Sequence, residues 1–429
     1  MRTGSSTESG ATGLNSERMG RDNLSLVLRE IHRRGAVSRT GLAEQTGLYR
    51  QTIRSLVGQL EARGLVGEEP MASEGAPGRP SFLVRPRTDV VRVLAIDIEV
   101  DSIGVGIAGL GGEVLCSQRE PRSRDAIDPA RTLADVVEAC RRLLEGTDLS
   151  LIRGVGVAVV GLVRRDDGFV RLAPNLGWHD VPLAQMLADQ LGLGVPVHAG
   201  NEADLAILAE HIRGAAADAA DAIYVSGEVG IGGGVIVGGR ALIGHGGYAG
   251  EIGHMVVNPN GDRCGCGSVG CWETEVGEAA LIRKAGRTLE GSHDRAVGRI
   301  IDAASQGDRA ALEAMREVGR WMGIGLGCLV NIFNPEVIIL GGLFARIHSL
   351  IADVVEAELR GRVSVALRED LEVRASRFGA DGPLLGAAEL ALEPVLAHPD
   401  DLPEVVTSGR ARTRHAGAGG GSRALVARA

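Results

Sequence analysis

His254, Cys264, Cys266 and Cys271 fall within one 18-residue stretch of the chain, and no other feature restricts the local fold as tightly. Three thiolates and one imidazole complete a closed tetrahedral zinc site, which leaves no position for a catalytic water. Gly265, Gly267 and Gly270 lie between the ligands and allow the tight backbone turns such a knuckle requires. The spacing is not the paired CxxC of a generic zinc finger. The competing reading is a set of buried free thiols, and three Cys within eight residues beside a His speak against it. The cofactor expected is one structural Zn2+. Cys116, Cys140 and Cys328 sit in apolar contexts and are expected in the core.

With 429 residues the chain is expected to form two or three folding units. Aromatics are only 3% of it, so the cores must be built from Val, Leu, Ile and Ala. The 63 glycines are dispersed through apolar runs such as Gly230 to Gly239. This predicts tight strand turns and close backbone approach to a ligand, not a fibrous or low-complexity chain. No apolar run reaches the roughly 18 residues a membrane span needs. Met1 to Gly20 has no apolar core of the kind a signal peptide carries. A cytoplasmic protein with no membrane partner is expected, in a compartment where thiols stay reduced.

Residues 1–20 and 398–429 lack apolar periodicity and are expected to be disordered. Residues 21–88 read as a DNA-binding unit. Leu24, Val27, Leu28 and Ile31 make one apolar helix face, and Gly35 ends that helix. Ser38 can cap a short second helix from Arg39, closed by Gly47. A third, from about Arg50 to Arg63, buries Ile53, Leu56, Val57 and Leu60. This is the helix-turn-helix plan. Leu65-Val66 begins a strand, Met71 to Pro80 is a Gly/Pro-rich hairpin tip, and Ser81 to Val84 returns, which makes a wing.

Across residues 21–66 eight Arg face four acidic residues, a local surplus in a chain whose net charge is −9. A local cationic face suits a double-stranded DNA operator, since each neutralised phosphate releases counterions. Arg50, Gln51 and Arg54 lie opposite the apolar stripe, free to enter a major groove, where Arg pairs with guanine and Gln with adenine. Arg39, Tyr49, Thr52 and the wing's Arg79 are the candidates for phosphate or minor-groove contact. The competing reading is a three-helix interaction module whose arginines are only solvated.

Residues 89–397 have a different texture. Short apolar strands are expected at Val91–Ile96, Ile103–Ala108, Glu113–Gln118, Gly154–Val160, Ala222–Val225, Gly233–Val237 and Val337–Leu340. Helices are expected near 129–144, 278–290, 308–330 and 382–396. Two β-rich lobes with covering helices predict an α/β, two-lobed actin-like domain with a cleft.

Gly250-Glu251-Ile252-Gly253-His254 followed by Cys264-x-Cys266-Gly267-x-x-Gly270-Cys271-x-Glu273 resembles the hallmark of the ROK family of repressors and sugar kinases, in its repressor branch. Gly230-Ile231-Gly232-Gly233-Gly234, Asn334-Pro335-Glu336, Gly341-Gly342, Leu385-Gly386-Ala387-Ala388 and the wing's Gly78-Arg79-Pro80 agree with it. The resemblance implies that sugar hydroxyls are held by Asn201, Glu202, Glu251, His254 and Glu273. A sugar presents several hydroxyls at once, and carboxylates, an imidazole and an amide can meet adjacent pairs. His254 would then have one ring nitrogen on zinc and the other available to a hydroxyl, its orientation fixed by the metal.

Two departures point away from the family's kinases. They carry Asp where this chain has Glu202, and the extra methylene shifts a general base by roughly an ångström, enough to cost on the order of 100-fold. They also carry Asp-x-Gly-Gly-Thr after the first strand, where this chain reads Asp97-Ile98-Glu99-Val100-Asp101. Both glycines are gone and two carboxylates stand where phosphates would sit; Glu228 in the second phosphate turn adds a third. Asp97 is expected to be structural. The reading is a sugar-responsive repressor of carbohydrate-utilisation genes, without a catalytic residue, whose effector is a sugar or sugar phosphate and whose assembly is a homodimer or homotetramer. The alternatives are an ATP-dependent sugar kinase with an appended DNA-binding domain, and a regulator answering to a protein partner.

Overall fold

The computed structural model describes residues 9–70, 82–122, 128–288 and 293–404, with side chains from residue 17. Arg79 and the wing tip lie outside them, as do residues 405–429.

The first helix, α1 (Ser9–Arg34), begins inside the segment expected to lack structure. Glu17 to Gly20 are exposed, and the buried apolar face begins at Leu24. Gly35 ends it at φ +74°. Strand β1 (Val37–Ser38) and α2 (Arg39–Thr46) follow. The Ser38 hydroxyl accepts the Gly41 N–H at the start of α2, and Gly47 closes it at φ +70°. Helix α3 (Arg50–Ala62) buries Ile53, Leu56, Val57 and Leu60. Strands β2 (Val66–Pro70) and β3 (Phe82–Pro86) pair antiparallel, and β1 joins β3's other edge, giving the order β1-β3-β2.

The first lobe holds β4 (Arg92–Ile98), β5 (Ser102–Gly109), β6 (Val114–Pro121), α4 (Pro129–Leu144), β7 (Ile152–Val159) and a small sheet of β8 (Leu162–Arg164), β9 (Phe169–Ala173) and β10 (Trp178–Val181). Then come α5 (Leu183–Leu191), β11 (Val197–Asn201) and α6 (Glu202–Arg213). Its main sheet has the order β11-β7-β4-β5-β6. The second lobe holds β12 (Ala222–Gly227), β13 (Ile231–Val237), β14 (Arg240–Ala241), α7 (Trp272–Val276), α8 (Glu278–Lys284), α9 (His293–Ser305), α10 (Arg309–Phe333) and β15 (Val337–Gly341). It closes with α11 (Gly342–Arg362), α12 (Val365–Arg368) and β16 (Glu372–Ala375), in a sheet ordered β14-β13-β12-β15-β16. Each sheet is an antiparallel three-strand meander whose first strand pairs parallel with the fourth, and the fourth with the fifth. The same topology twice is the two-lobed architecture expected. It also makes the β4–β5 turn and the β12–β13 turn equivalent.

The lobes are joined through α6 and α13 (Gly382–Ala397). A β-carbon on Gly386 would lie 1.8 Å from the Leu205 carbonyl oxygen, so the two helices cross at a distance only glycine permits. On its other face α6 meets β13, where a β-carbon on Gly234 would lie 2.5 Å from the Ile207 side chain. The core of α1 to α3 runs without a break into α13: Leu24, Leu28, Leu384 and Ala388 belong to one buried cluster. No helix among the described residues is long and apolar enough to cross a membrane.

Two cysteines depart from expectation. Cys140 is buried, but Cys116 and Cys328 are exposed. Cys116 lies on the edge strand β6, and Cys328 on an outward turn of a helix that is apolar around most of its circumference. An apolar sequence neighbourhood in each case hides which way the side chain faces.

Candidate functional site

A cavity of about 820 Å3 opens between the lobes, lined on one wall by Asn201, Glu202, Glu251, His254 and Glu273. Each is placed by a terminus or turn. Asn201 ends β11 and caps α6: its carboxamide oxygen accepts the Ala203 and Asp204 N–H groups at 2.8 and 3.4 Å, and its NH2 donates to Gly161 O at 2.9 Å. Only part of its bonding capacity is left for a ligand. Glu202 opens α6, and burial, then Glu228 and Asp97, push its carboxyl well above the usual range. Glu251 and His254 flank a single helical turn, with Glu251 Oε2 3.9 Å from His254 Nε2. Glu251 is raised by burial and by Glu273, against the pull of His254. A carboxyl donates as well as accepts when it carries its proton, which suits a ligand made of hydroxyls.

The glycine run beside this wall has a steric reason. A β-carbon on Gly230 would come 2.6 Å from Glu273 Oε2, and one on Gly253 would come 2.4 Å from the Ile231 carbonyl oxygen. Any larger residue would push the Glu251–His254 turn or Glu273 out of place. Asp204 does not line the cavity; burial raises it to about 7, against the opposing Arg165.

His254 turns its Nδ1 towards the cysteines, 3.7 Å from Cys264 Sγ, and Cys266 and Cys271 Sγ lie 3.6 Å apart. The four candidate ligand atoms all lie within 4.8 Å of one another. Bonds of about 2.3 Å to a tetrahedral ion place sulfurs about 3.8 Å apart, so the set has the spacing of a metal site. The loop is held by Gly270, at φ +74°, where a β-carbon would meet the Asn258 carbonyl oxygen at 1.6 Å. Asn258 donates to Glu275 at 2.7 Å, and Lys284, the chain's single lysine, reaches the same carboxylate at 3.1 Å. The group could hold a metal ion.

Across the cavity lie Glu99, Asp101 and Glu228. Asp97, behind them, is fully buried and accepts from Arg119 at 2.8 Å, and burial with Glu99 raises it to about 7. Sequence reasoning missed Asn175, Glu278 and Arg346, which also line the cavity. Asn175 sits in a Pro174–Leu176 turn that carries no motif, while Glu278 and Arg346 become neighbours of the cleft only through tertiary folding.

The helix-turn-helix face is open. Tyr49, Arg50, Gln51 and Arg54 are exposed and Thr52 is half-exposed. Arg39 instead pairs with Glu68 of the wing strand at 2.6 Å.

The ROK family model matches residues 93–394. The chain belongs to the ROK family. It is 31% identical over 88% of its length to the xylose repressor of Caldicellulosiruptor bescii, covering 97% of that protein. A crystal structure of a ROK family transcriptional regulator, a homologue of the E. coli MLC protein, superposes with a TM-score of 0.74 at 25% identity, over 89% of this chain and 97% of that one. A ROK family glucokinase from Streptomyces griseus, solved with glucose and AMPPNP, matches at 31% identity and a TM-score of 0.62, but over only 70% of this chain while 99% of its own is covered. The regulators therefore account for the N-terminal helices and the kinase does not.

Proposed function

We propose that this chain is a sugar-responsive transcriptional repressor in which the ROK domain senses the sugar and the winged helix-turn-helix binds the operator. One observation carries the proposal: α6 connects the two. Its N-terminus presents Asn201 and Glu202 to the cavity. At its C-terminus, Arg213 donates to the backbone oxygen of His32 on α1 at 2.9 Å. A helix of this length spans about 18 Å. A sugar drawn against Glu202, Glu251, His254 and Glu273 would close the lobes about α6 and α13. Because α1 rests on those helices, closure would reorient the DNA-binding unit. In a dimer or tetramer, two such units would leave the spacing of successive operator half-sites.

In this reading Arg50, Gln51 and Arg54 read bases, while Arg39, Tyr49, Thr52 and Arg79 position the backbone. Zn2+ on His254, Cys264, Cys266 and Cys271 is structural: bound there, it holds the imidazole towards the sugar. The protein acts where the operator is, in the cytoplasm, and does not transfer phosphate. The relatives' names favour a pentose such as xylose as first effector to try.

The test measures affinity of the purified protein for an operator fragment with and without each member of a sugar panel, alongside ADP release with ATP, magnesium and the same sugars. One sugar is expected to change operator affinity at least about tenfold, or about 1.4 kcal/mol, without ADP formation. Turnover near the roughly 1–100 s⁻¹ of dedicated kinases would establish the enzyme instead. Sugar binding with no effect on the operator would separate the domains and sink the reading.

A further inference from the structure

The sensing wall and the wall opposite share one cavity, and the charge of the second limits what the first can hold. Eight carboxylates and a single cationic side chain, Arg346, line the cavity among the described residues. Arg346 is already engaged by Asp294 at 2.7 Å. Behind the wall, Arg119 serves two carboxylates, Asp97 at 2.8 Å and Glu99 at 3.1 Å. The equivalent turns of the two sheets contribute Glu99 with Asp101, and Glu228. Burial, then Glu99 and Glu278, push Glu228 up to about 8, so near pH 7 this wall keeps a proton rather than take one more negative charge. Glu202, where the two walls meet, is raised in part by Glu228.

One feature of the wall would attract an anion: the N-terminus of α11, which has no side-chain cap. That place is taken. A β-carbon on Gly342 would lie 3.1 Å from Glu228 Cγ, so the Glu228 side chain lies against the first residue of the helix. Phosphate sites are built from Arg forks, backbone N–H groups and free helix N-termini. Here the Glu228 side chain packs against the helix end and the guanidinium is paired.

We infer that the effector of this cleft is an uncharged, unphosphorylated sugar, and that Glu228, with Glu99 and Asp101, excludes its phosphate esters. The inference rests on the sugar-sensing reading above. A phosphomonoester carries about −1.5 to −2 charges at pH 7. On the hydroxyl next to Glu202 it would bring that charge to a wall that already holds Glu228 protonated beside Glu99 and Asp101, and a further negative charge so placed weakens binding severely.

Calorimetry on the zinc-loaded full chain with three pairs decides it: xylose and xylose 5-phosphate, glucose and glucose 6-phosphate, N-acetylglucosamine and its 6-phosphate. At pH 9, where Glu228 is ionised, the parent sugar that binds is expected to do so at least about 100-fold more tightly than its ester, and Glu228→Gln is expected to narrow that ratio at least about tenfold. An ester binding as tightly as its parent overturns the inference and leaves the regulator standing. Esters that stay excluded in a folded Glu228→Gln protein overturn the role given to Glu228. If no pair shows binding while xylose still alters operator affinity, the neutral-sugar inference stands; if both fail, it falls with the sugar-sensing reading.

Discussion

His32 of the DNA-binding unit and Glu389 of the sensor's last helix meet at 2.8 Å, with only 2% and 5% of their side chains exposed. The Gly111 N–H donates to His32 Nδ1 at 2.9 Å, so the ring proton sits on Nε2 and is given to Glu389. Burial and the neighbouring Arg213 lower His32 to about 3, which keeps it neutral at any physiological pH. Arg213 pairs with the same Glu389 and also donates to His32 O. Three residues from α1, α6 and α13 thus close one buried junction, and Arg29 pairs with Glu393 at its exposed rim.

If that junction transmits the signal, Glu389→Gln should bind sugar and operator separately almost as wild type does, yet lose most of the effect of one on the other. Removing the charge should also lower stability by about 1–3 kcal/mol. Operator anisotropy with and without sugar reads the first effect and chemical denaturation the second. Full sugar response in a folded Glu389→Gln protein would place the coupling elsewhere.

Operator recognition should depend on α3. Arg50→Ala or Arg54→Ala is expected to weaken operator binding by about 1–3 kcal/mol where the Arg reads a base, with sugar affinity unchanged. Both side chains are exposed and have no ion-pair partner among the described residues, so neither change should unfold the domain. Arg39→Ala should act differently, since it also breaks the pair with Glu68 that ties α2 to the wing. Unchanged affinity in both α3 variants would move recognition to the wing.

Stability should rise on mild acidification. Asp97 is raised to about 7 and Glu228 to about 8, well above their unfolded values near 4. Between about pH 4.5 and 8 the folded chain therefore holds protons the unfolded chain does not, and stability falls as pH climbs through that window. The slope is about 1.4 kcal/mol per pH unit for each such proton. His32 acts in the opposite sense, but only below about 6.5, where the unfolded ring starts to take a proton the buried ring refuses. Thermal unfolding between pH 6 and 8.5 should give a declining Tm, and Glu228→Gln a shallower decline. A Tm that rises over that range would contradict the clustering of these carboxylates.

Local signals were read from the chain with little error, and signals made by folding were not. Ser38 and Gly47 bound α2 because a cap and a left-handed glycine act within four residues. Strand β1 escaped because two residues carry no periodicity. Helix α6 shows no clean apolar stripe, since it is wedged between β13 and α13 and buries residues on several faces, including Glu210. The five cavity-lining candidates Asn201, Glu202, Glu251, His254 and Glu273 could be named from motifs. Of the acidic wall, Glu99, Asp101 and Glu228 could be named from the two equivalent turns, but Glu278 could not, because it comes from a helix beyond the cysteine loop.

Metal binding provides the remaining prediction. His254 belongs to both the cysteine cluster and the cavity wall: Nδ1 faces Cys264 and Nε2 faces Glu251. Elemental analysis should find about one zinc per chain for a closed four-ligand site. Cys266→Ser removes an exposed ligand from a loop held otherwise by Asn258, Glu275 and Lys284, so the domain should fold with its metal weakened. Freed of the metal, the His254 ring could rotate, and sugar affinity should fall by about 10- to 100-fold, the range seen when a group orienting a ligand is lost. Operator affinity without sugar should stay near wild type, since the DNA-binding unit meets the rest of the chain through α1, which packs on α6 and α13. A Cys266→Ser protein that keeps full metal and full stability would remove Cys266 from the site. One that loses its metal yet binds sugar normally would show that His254 is held by the fold alone.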